Sequence, residues 1–219
     1  MAMVVHDFIT TDFPVLKPTD TVQYALLMME DFSVTNLIIV DGSQLIGYAH
    51  YAQLDDMNPD MPLSDLVFEN KPVSVDGDHS IINALKHFAE THLDLLAVVR
   101  NDMFEGTVWS KDLVNALGNS TTAGNDGSVL LLECDMYDYS ISLIGRLVEA
   151  EDGKVLGLWT WQPEGDQKIQ IMLKLNIRHI DNIVSVLHSN GYRVLHHVNN
   201  KTSELFEDRY KSLMNYLDI

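Results

Sequence analysis

The chemistry-bearing residues of this 219-residue chain gather in one corner, GTVWSKDL, Gly106 to Leu113. Trp109, Ser110, Lys111 and Asp112 place an indole, a hydroxyl, an ammonium and a carboxylate side by side. An earlier stretch, GYAHYAQL, has the same outline, with His50 where Trp109 stands and Gln53 where Asp112 stands. A carboxylate such as Asp112 can accept charge-assisted hydrogen bonds from a ligand's hydroxyls. The same residues also have a plainer reading, in which Ser110 caps a helix and Asp112 sits in its first turn, favoured by the helix dipole. Trp109 can stack on a flat ring or simply pack at a strand end, and His50 can contact an anion only when protonated.

No other constellation suggests catalysis. A covalent mechanism needs a nucleophile with a positioned base, and the chain has no GxSxG-type element. It also lacks a GxxxxGK[ST] phosphate loop. The nine histidines are scattered: His196 and His197 are neighbours on a predicted strand and face opposite ways, while His87 and His92 are five apart on or past a helix. Cys134, the single cysteine, rules out an intrachain disulfide and a thiolate-rich metal site, and its setting LLLECDM reads as a core strand. The expectation is a protein that is not an enzyme, with no metal and no obligatory cofactor.

Charge narrows the partners. With 32 acidic against 14 basic residues, a formal charge of -18, the summed field repels nucleic acid and anionic membranes. A nucleotide stays within reach, because a few local cations and backbone N–H groups can hold one phosphate in an acidic protein. The start MAMVVHDF has no basic, apolar leader pattern, and no apolar run approaches the roughly 20 residues of a membrane span. A soluble, cytoplasmic protein is expected.

The elements that must position the corner come twice. Residues 7–20 laid on 65–78 pair Asp7 with Asp65, Pro14 with Pro72, Val15 with Val73 and Asp20 with Asp78. After one inserted residue near His79, Ala25 pairs with Ala84, Val40 with Val99, Gly47 with Gly106 and Leu54 with Leu113. Val22, Ala25, Leu26 and Met29 form a helical stripe, matched by Ile81, Ala84, Leu85 and Phe88. Strands Leu37–Val40 and Leu96–Val99 each lead through a polar turn to a second strand and a short helix. Each copy is β-α-β-β-α, a unit that needs a twin to bury its open sheet face.

On these residues, positions 5 to 118 resemble paired cystathionine-β-synthase (CBS) domains, the Bateman module. That resemblance implies clefts between the repeats that take adenosine-type nucleotides such as AMP, ADP, ATP or S-adenosylmethionine. The family's closing motif is Gly, two apolar residues, Ser or Thr, two variable residues, then Asp, the hydroxyl serving phosphate and the carboxylate serving ribose. Gly106 and Asp112 fit it. Trp109 occupies the hydroxyl position, with Ser110 one residue late. The implied site is Asp112, Trp109 and Ser110 with the Pro72-Val73-Ser74 strand, and His50 and Gln53 mark a degenerate second cleft.

The glycine-rich GNSTTAGNDGS, Gly118 to Ser128, has no periodicity and reads as a flexible linker. Beyond it, strand Val129–Met136, a helix on Ile141, Ile144 and Val148, strands Val155–Trp161 and Ile169–Leu175, a helix on Ile180, Ile183, Val184 and Leu187, and strand Tyr192–Val198 follow the ferredoxin-like order βαββαβ. Ile169, Ile171, Leu173 and Leu175 alternate with Gln170, Met172 and Lys174, so one face is to be buried by the helices. The segment IDNIVSVLHSNGYRVLHHV resembles the second helix and last strand of an ACT domain, which implies amino-acid sensing near the first loop, here Met136 to Ser140 and without glycine. Asp138 and Ser140 can also cap the next helix. Thr202 to Leu217 carries Leu205, Phe206, Tyr210, Leu213, Met214 and Leu217 on one side, an amphipathic helix for packing on the protein itself or on a second subunit.

The expected fold is α+β: repeat 1 at 1–60, repeat 2 at 61–118, a linker at 119–127, an ACT-like domain at 128–199 and a terminal helix at 200–219. This order resembles the acetoin-utilisation B type of protein. It implies a non-catalytic regulatory sensor, a homodimer through its CBS or ACT-like faces, or else a ligand-free dimerisation module.

Overall fold

The computed structural model describes residues 4–67, 72–163 and 165–198. The predicted helix over Thr202–Leu217 lies outside them. The chain divides into two compact units, Met1–Ala116 and Leu117–Ile219.

The first unit is built from two repeats. The earlier has α1 (Val22–Phe32), β1 (Asn36–Asp41), β2 (Gln44–His50) and α2 (Tyr51–Leu54). The later has β3 (Ser74–Val75), α3 (Ile81–Thr91), β4 (Leu95–Arg100), β5 (Met103–Trp109) and α4 (Ser110–Gly118). The predicted stripes set the helices: Val22, Ala25 and Met29 are buried on α1, Ile81 and Ala84 on α3. Thr21 starts α1 by accepting a hydrogen bond from the Tyr24 N–H. Both helices stop on a left-handed residue at matching positions, Ser33 (φ 52°) and His92 (φ 57°). Both hairpins bulge at matching positions, between Ile39 and Val40 and between Val98 and Val99.

The strand before each helix corrects the sequence alignment. Leu16 pairs with Ile39, and Val75 with Val98, so Leu16 and Val75 are equivalent and the inserted residue lies before them, not near His79. The reason is burial: Leu16 (0% exposed) and Val75 (2%) fill the core, and a slip of one residue would turn Ser74 into that place.

The opening segments are exchanged between repeats. A 3-10 turn at Val5–Phe8 docks on the later repeat, with Val5 N–H on the His79 carbonyl and His6 N–H on that of Gly77, both at 2.8 Å. The turn at Leu63–Asp65 docks on the earlier one, with Leu63 N–H on the Asp20 carbonyl (2.8 Å) and Ser64 N–H on that of Pro18 (2.7 Å). Between Val5–Phe8 and β1, Thr10 bridges to Thr107 on β5. There Gly106 (φ 158°) is required, since a Cβ on it would run into the Ile9 side chain.

Buried polar groups join the repeats. The Asn36 side chain donates to the Leu95 carbonyl (3.0 Å) and accepts from the N–H groups of Asp94 (2.7 Å) and Leu95 (3.2 Å). The Tyr48 hydroxyl donates to the Val73 carbonyl (2.6 Å), just before β3, and accepts from the Ala97 N–H of β4 (2.9 Å). One apolar cluster, including Leu16, Leu37, Leu54, Leu63 and Leu95, draws on both repeats.

The second unit holds α5 (Thr121–Gly124), β6 (Val129–Asp135), α6 (Ile141–Ala150), β7 (Val155–Trp161), β8 (Lys168–Leu175), α7 (Asp181–Ser189) and β9 (Arg193–Val198). Its sheet order is β7-β8-β6-β9, with every neighbouring pair antiparallel, which is the ferredoxin-like topology. Leu130, Leu132, Ile171 and Leu173 from the sheet meet Ile144, Val148, Ile183 and Leu187 from the helices. Cys134 is buried in that core, where burial raises its thiol pKa. Ser140 caps α6 through the Leu143 N–H, while Asp138 lies in a 3-10 turn and caps nothing.

The segment read as a flexible linker has structure of its own. Ser120 caps α5, and the Thr122 hydroxyl donates to the Leu156 carbonyl at 2.8 Å. Gly127 (φ 150°) passes so close to Leu175 that a Cβ would strike its carbonyl oxygen. Small polar residues serve here as a cap and a close approach, which periodicity does not register.

Candidate functional site

Two clefts of about 630 Å³ each open in the first unit, and each combines one repeat's strand-to-helix turn with the other repeat's hairpin. The first is lined by Pro72, Ser74, Asp76 and Asp102 with Gln44 and Leu45 from the earlier hairpin. The second is lined by Val15, Lys17, Thr19, Val40 and Asp41, with Phe104 from the later hairpin. Leu45 and Phe104 occupy the same place beside the bulge in their respective strands. The clefts are thus two versions of one site.

Their charges differ. With Leu16 matched to Val75, the next residue in each strand is Lys17 in one cleft and Asp76 in the other. Lys17 is exposed and has no ion-pair partner among the described residues. In the first cleft Asp76 and Asp102 carry negative charge, and no cation is among the described lining residues. The cation on that strand, Arg100, is held by Asp78 and Glu105, each at 3.1 Å. The second cleft therefore offers an anionic ligand one cation, Lys17, beside a single carboxylate, Asp41, whereas the described lining of the first offers carboxylates alone.

The residues singled out from the sequence are divided by the structure. Pro72 and Ser74 line the first cleft, and the carbonyl of Val73 is taken by Tyr48. Trp109, Ser110 and Asp112 do not line either cleft. The Trp109 ring packs edge-on against Phe13, 5.2 Å between centroids, within the apolar cluster of the earlier repeat. The Lys111 ammonium lies 4.7 Å from the ring centre, and the indole N–H is buried without a partner. Ser110 is the first residue of α4, its N–H donating to the Asp94 carbonyl at 2.9 Å. Asp112 sits half-buried in the first turn of α4.

His50 ends β2 half-buried, and burial lowers its pKa, so at neutral pH the ring is uncharged and gives an anion no charge to pair with. Gln53 is exposed on α2. Sequence reasoning missed Lys17, Thr19 and Phe104. The signal was present in PVLKPTD, the first copy's counterpart of the Pro72-Val73-Ser74 strand, which carries Lys17 where the later copy has Asp76.

Among the described residues no group of three or more His, Cys, Asp or Glu side chains is arranged to hold a metal ion. No described helix is long and apolar enough to cross a membrane.

Comparison with known proteins bears on the same region. Residues 5–54 match the family model of the CBS domain. Similar solved structures include a CBS domain pair/ACT domain protein from Thermotoga maritima, 25% identical over 52% of this chain and 96% of that one (TM-score 0.47). A protein described as an acetoin utilization protein from Vibrio cholerae is 21% identical over 54% and 93% (TM-score 0.47). CBSX2, solved in complex with AMP, is 23% identical over 53% and 96% (TM-score 0.46). No curated protein matches the chain. Residues 5–54 match the CBS domain, and with a second repeat built on the same bulge, turn and helix-end positions the first unit has the fold of a CBS pair.

Proposed function

We propose that the CBS pair is a non-catalytic sensor that binds one adenosine-type nucleotide, AMP, ADP, ATP or S-adenosylmethionine, in the cleft of Lys17, and that occupancy shifts the arrangement or assembly of the repeats. The observation that carries this reading is Lys17 in one cleft at the place that Asp76 takes in the other. Val15, Val40 and Phe104 offer an apolar wall for the base, Lys17 and Thr19 donors for phosphate, and Asp41 an acceptor for ribose hydroxyls. The ligand acts by linkage: it favours the arrangement in which both halves of the cleft, turn and hairpin, contact it.

Thermal shift with each of the four nucleotides tests the proposal, because binding to the native state alone stabilises by mass action. Lys17→Ala should shrink the shift, as a roughly fivefold weaker affinity would, and Asp112→Asn should leave it. The opposite pattern would move the sugar to Asp112 with Pro72, Val73 and Ser74, and no shift with any nucleotide at millimolar concentration would sink nucleotide sensing.

A second reading, a dimerisation module without a ligand, is favoured by apolar side chains on outer helix faces. Tyr24 and Leu27 on α1, Ile82 on α3 and Val114 on α4 are all exposed. For either reading a homodimer is expected, and a light-scattering mass near the 24.7 kDa of one chain would contradict it.

A further inference from the structure

The sheet of the second unit has one face under α6 and α7, and a second face that no described helix crosses. The strand register lays that face out in rows. Val198, Val129, Lys174 and Gly157 share the first; His196, Leu131, Met172 and Trp159 the second; Arg193, Glu133, Gln170 and Trp161 the third. α5 reaches only the Gly157 corner, where Thr122 lies against that glycine.

The middle of this face is apolar. Leu131 and Met172 are half-buried, and the indoles of Trp159 and Trp161 are 42% and 49% exposed. A patch of two tryptophans, a leucine and a methionine marks a surface built to be covered. Beside it Lys174 is 8% exposed and has no ion-pair partner among the described residues, so the cover should also bring negative charge.

The chain itself supplies a fitting occupant. β9 ends at Val198, at the sheet edge and in the row of Lys174. Only Asn199, Asn200 and Lys201 separate it from the sequence that starts at Thr202, where Leu205, Phe206, Tyr210, Leu213, Met214 and Leu217 fall at helical spacing and Glu204, Glu207 and Asp208 outnumber the cations Arg209 and Lys211. In helical form Thr202 to Leu217 would reach about 24 Å at 1.5 Å per residue. Four strands span roughly 15 to 19 Å, so the segment is long enough to traverse the sheet.

We propose that residues 202–217 cover this face of their own chain, with the apolar stripe on Leu131, Met172, Trp159 and Trp161 and the acidic flank toward Lys174. Trp109 is the only tryptophan elsewhere, so in the full chain carrying Trp109→Phe the emission comes from Trp159 and Trp161 alone. Acrylamide quenching of that protein should be low, and Phe206→Asp with Leu213→Asp should raise it toward the value of free tryptophan. Met172→Lys attacks the same contact from the sheet side and should raise it as well, with the sedimentation mass unchanged throughout. The proposal is overturned if quenching is indifferent to the Phe206/Leu213 pair. It is equally overturned if protection disappears on dilution together with a halving of mass, which would assign the cover to a second copy.

Discussion

Replacing Tyr48 by Phe deletes one oxygen at the join between repeats. The hydroxyl holds the Val73 carbonyl, just before β3, and the Ala97 N–H of β4, at 2.6 and 2.9 Å, and the residue is 7% exposed. Stripping a partner from a buried donor or acceptor costs about 1–3 kcal/mol per group. With two groups affected, a loss of about 2–4 kcal/mol is expected, or roughly 10 °C in the melting temperature of a unit this size. Burial also raises the phenol's pKa well above its usual value of 10, outweighing the hydrogen bond from Ala97, which lowers it. A raised folded-state value means that the contribution is fully present below about pH 10 and is lost as pH climbs from there toward the folded value. In that range the unfolded chain gives up a proton that the folded chain keeps, so stability falls by about 1.4 kcal/mol per pH unit for this one group. Urea unfolding with Trp159 and Trp161 replaced by Phe lets Trp109 report the first unit alone. A Tyr48→Phe loss below about 0.5 kcal/mol, or an alkaline slope no shallower than that of the parent, would refute the reasoning.

Asn36→Ala should cost about 3 kcal/mol, since it leaves three buried backbone groups of Asp94 and Leu95 without partners; Asn36→Asp, which cannot donate to Leu95 and buries a charge, should be worse by the same unfolding assay. Gly127→Ala should destabilise the second unit by about 1–3 kcal/mol through forced overlap with the Leu175 carbonyl, read as earlier melting of the Trp159/Trp161 signal. Burial depresses the His50 pKa, so its contribution is present above the unfolded value near 6.5 and lost as pH falls below it; His50→Gln should flatten the stability decline between pH 7 and 5. Lys17→Ala in saturating salt should give no further loss of nucleotide affinity, because an exposed cation acts through a screened field worth about 1 kcal/mol at low salt.

The repeat, its helices and its hairpins were legible because each rests on local rules. The Val22/Ala25/Met29 and Ile81/Ala84 stripes need only a 3.6-residue period, and the ferredoxin-like order follows from alternation on Ile169 to Leu175. The clefts were not legible to the same degree, because each is half made by the other repeat: nothing near Lys17 in sequence announces Phe104. The one-residue slip before Leu16 mattered for the same reason. It hid the equivalence of Lys17 with Asp76, on which the charge contrast depends. Trp109 shows the limit of motif reading, since its ring packs on Phe13, a neighbour that only the tertiary fold supplies, and under Lys111 of the same GTVWSKDL stretch.

The exchanged opening turns also bear on how the first unit forms. Val5 waits for His79, and Leu63 returns to Asp20, so each repeat's closing contacts are made with residues far away along the chain. A topology of that kind raises contact order, which slows folding. A ribosome that has released only the earlier copy has delivered a piece whose opening turn has no docking site yet and whose own cover, Leu63 to Asp65, is still to come.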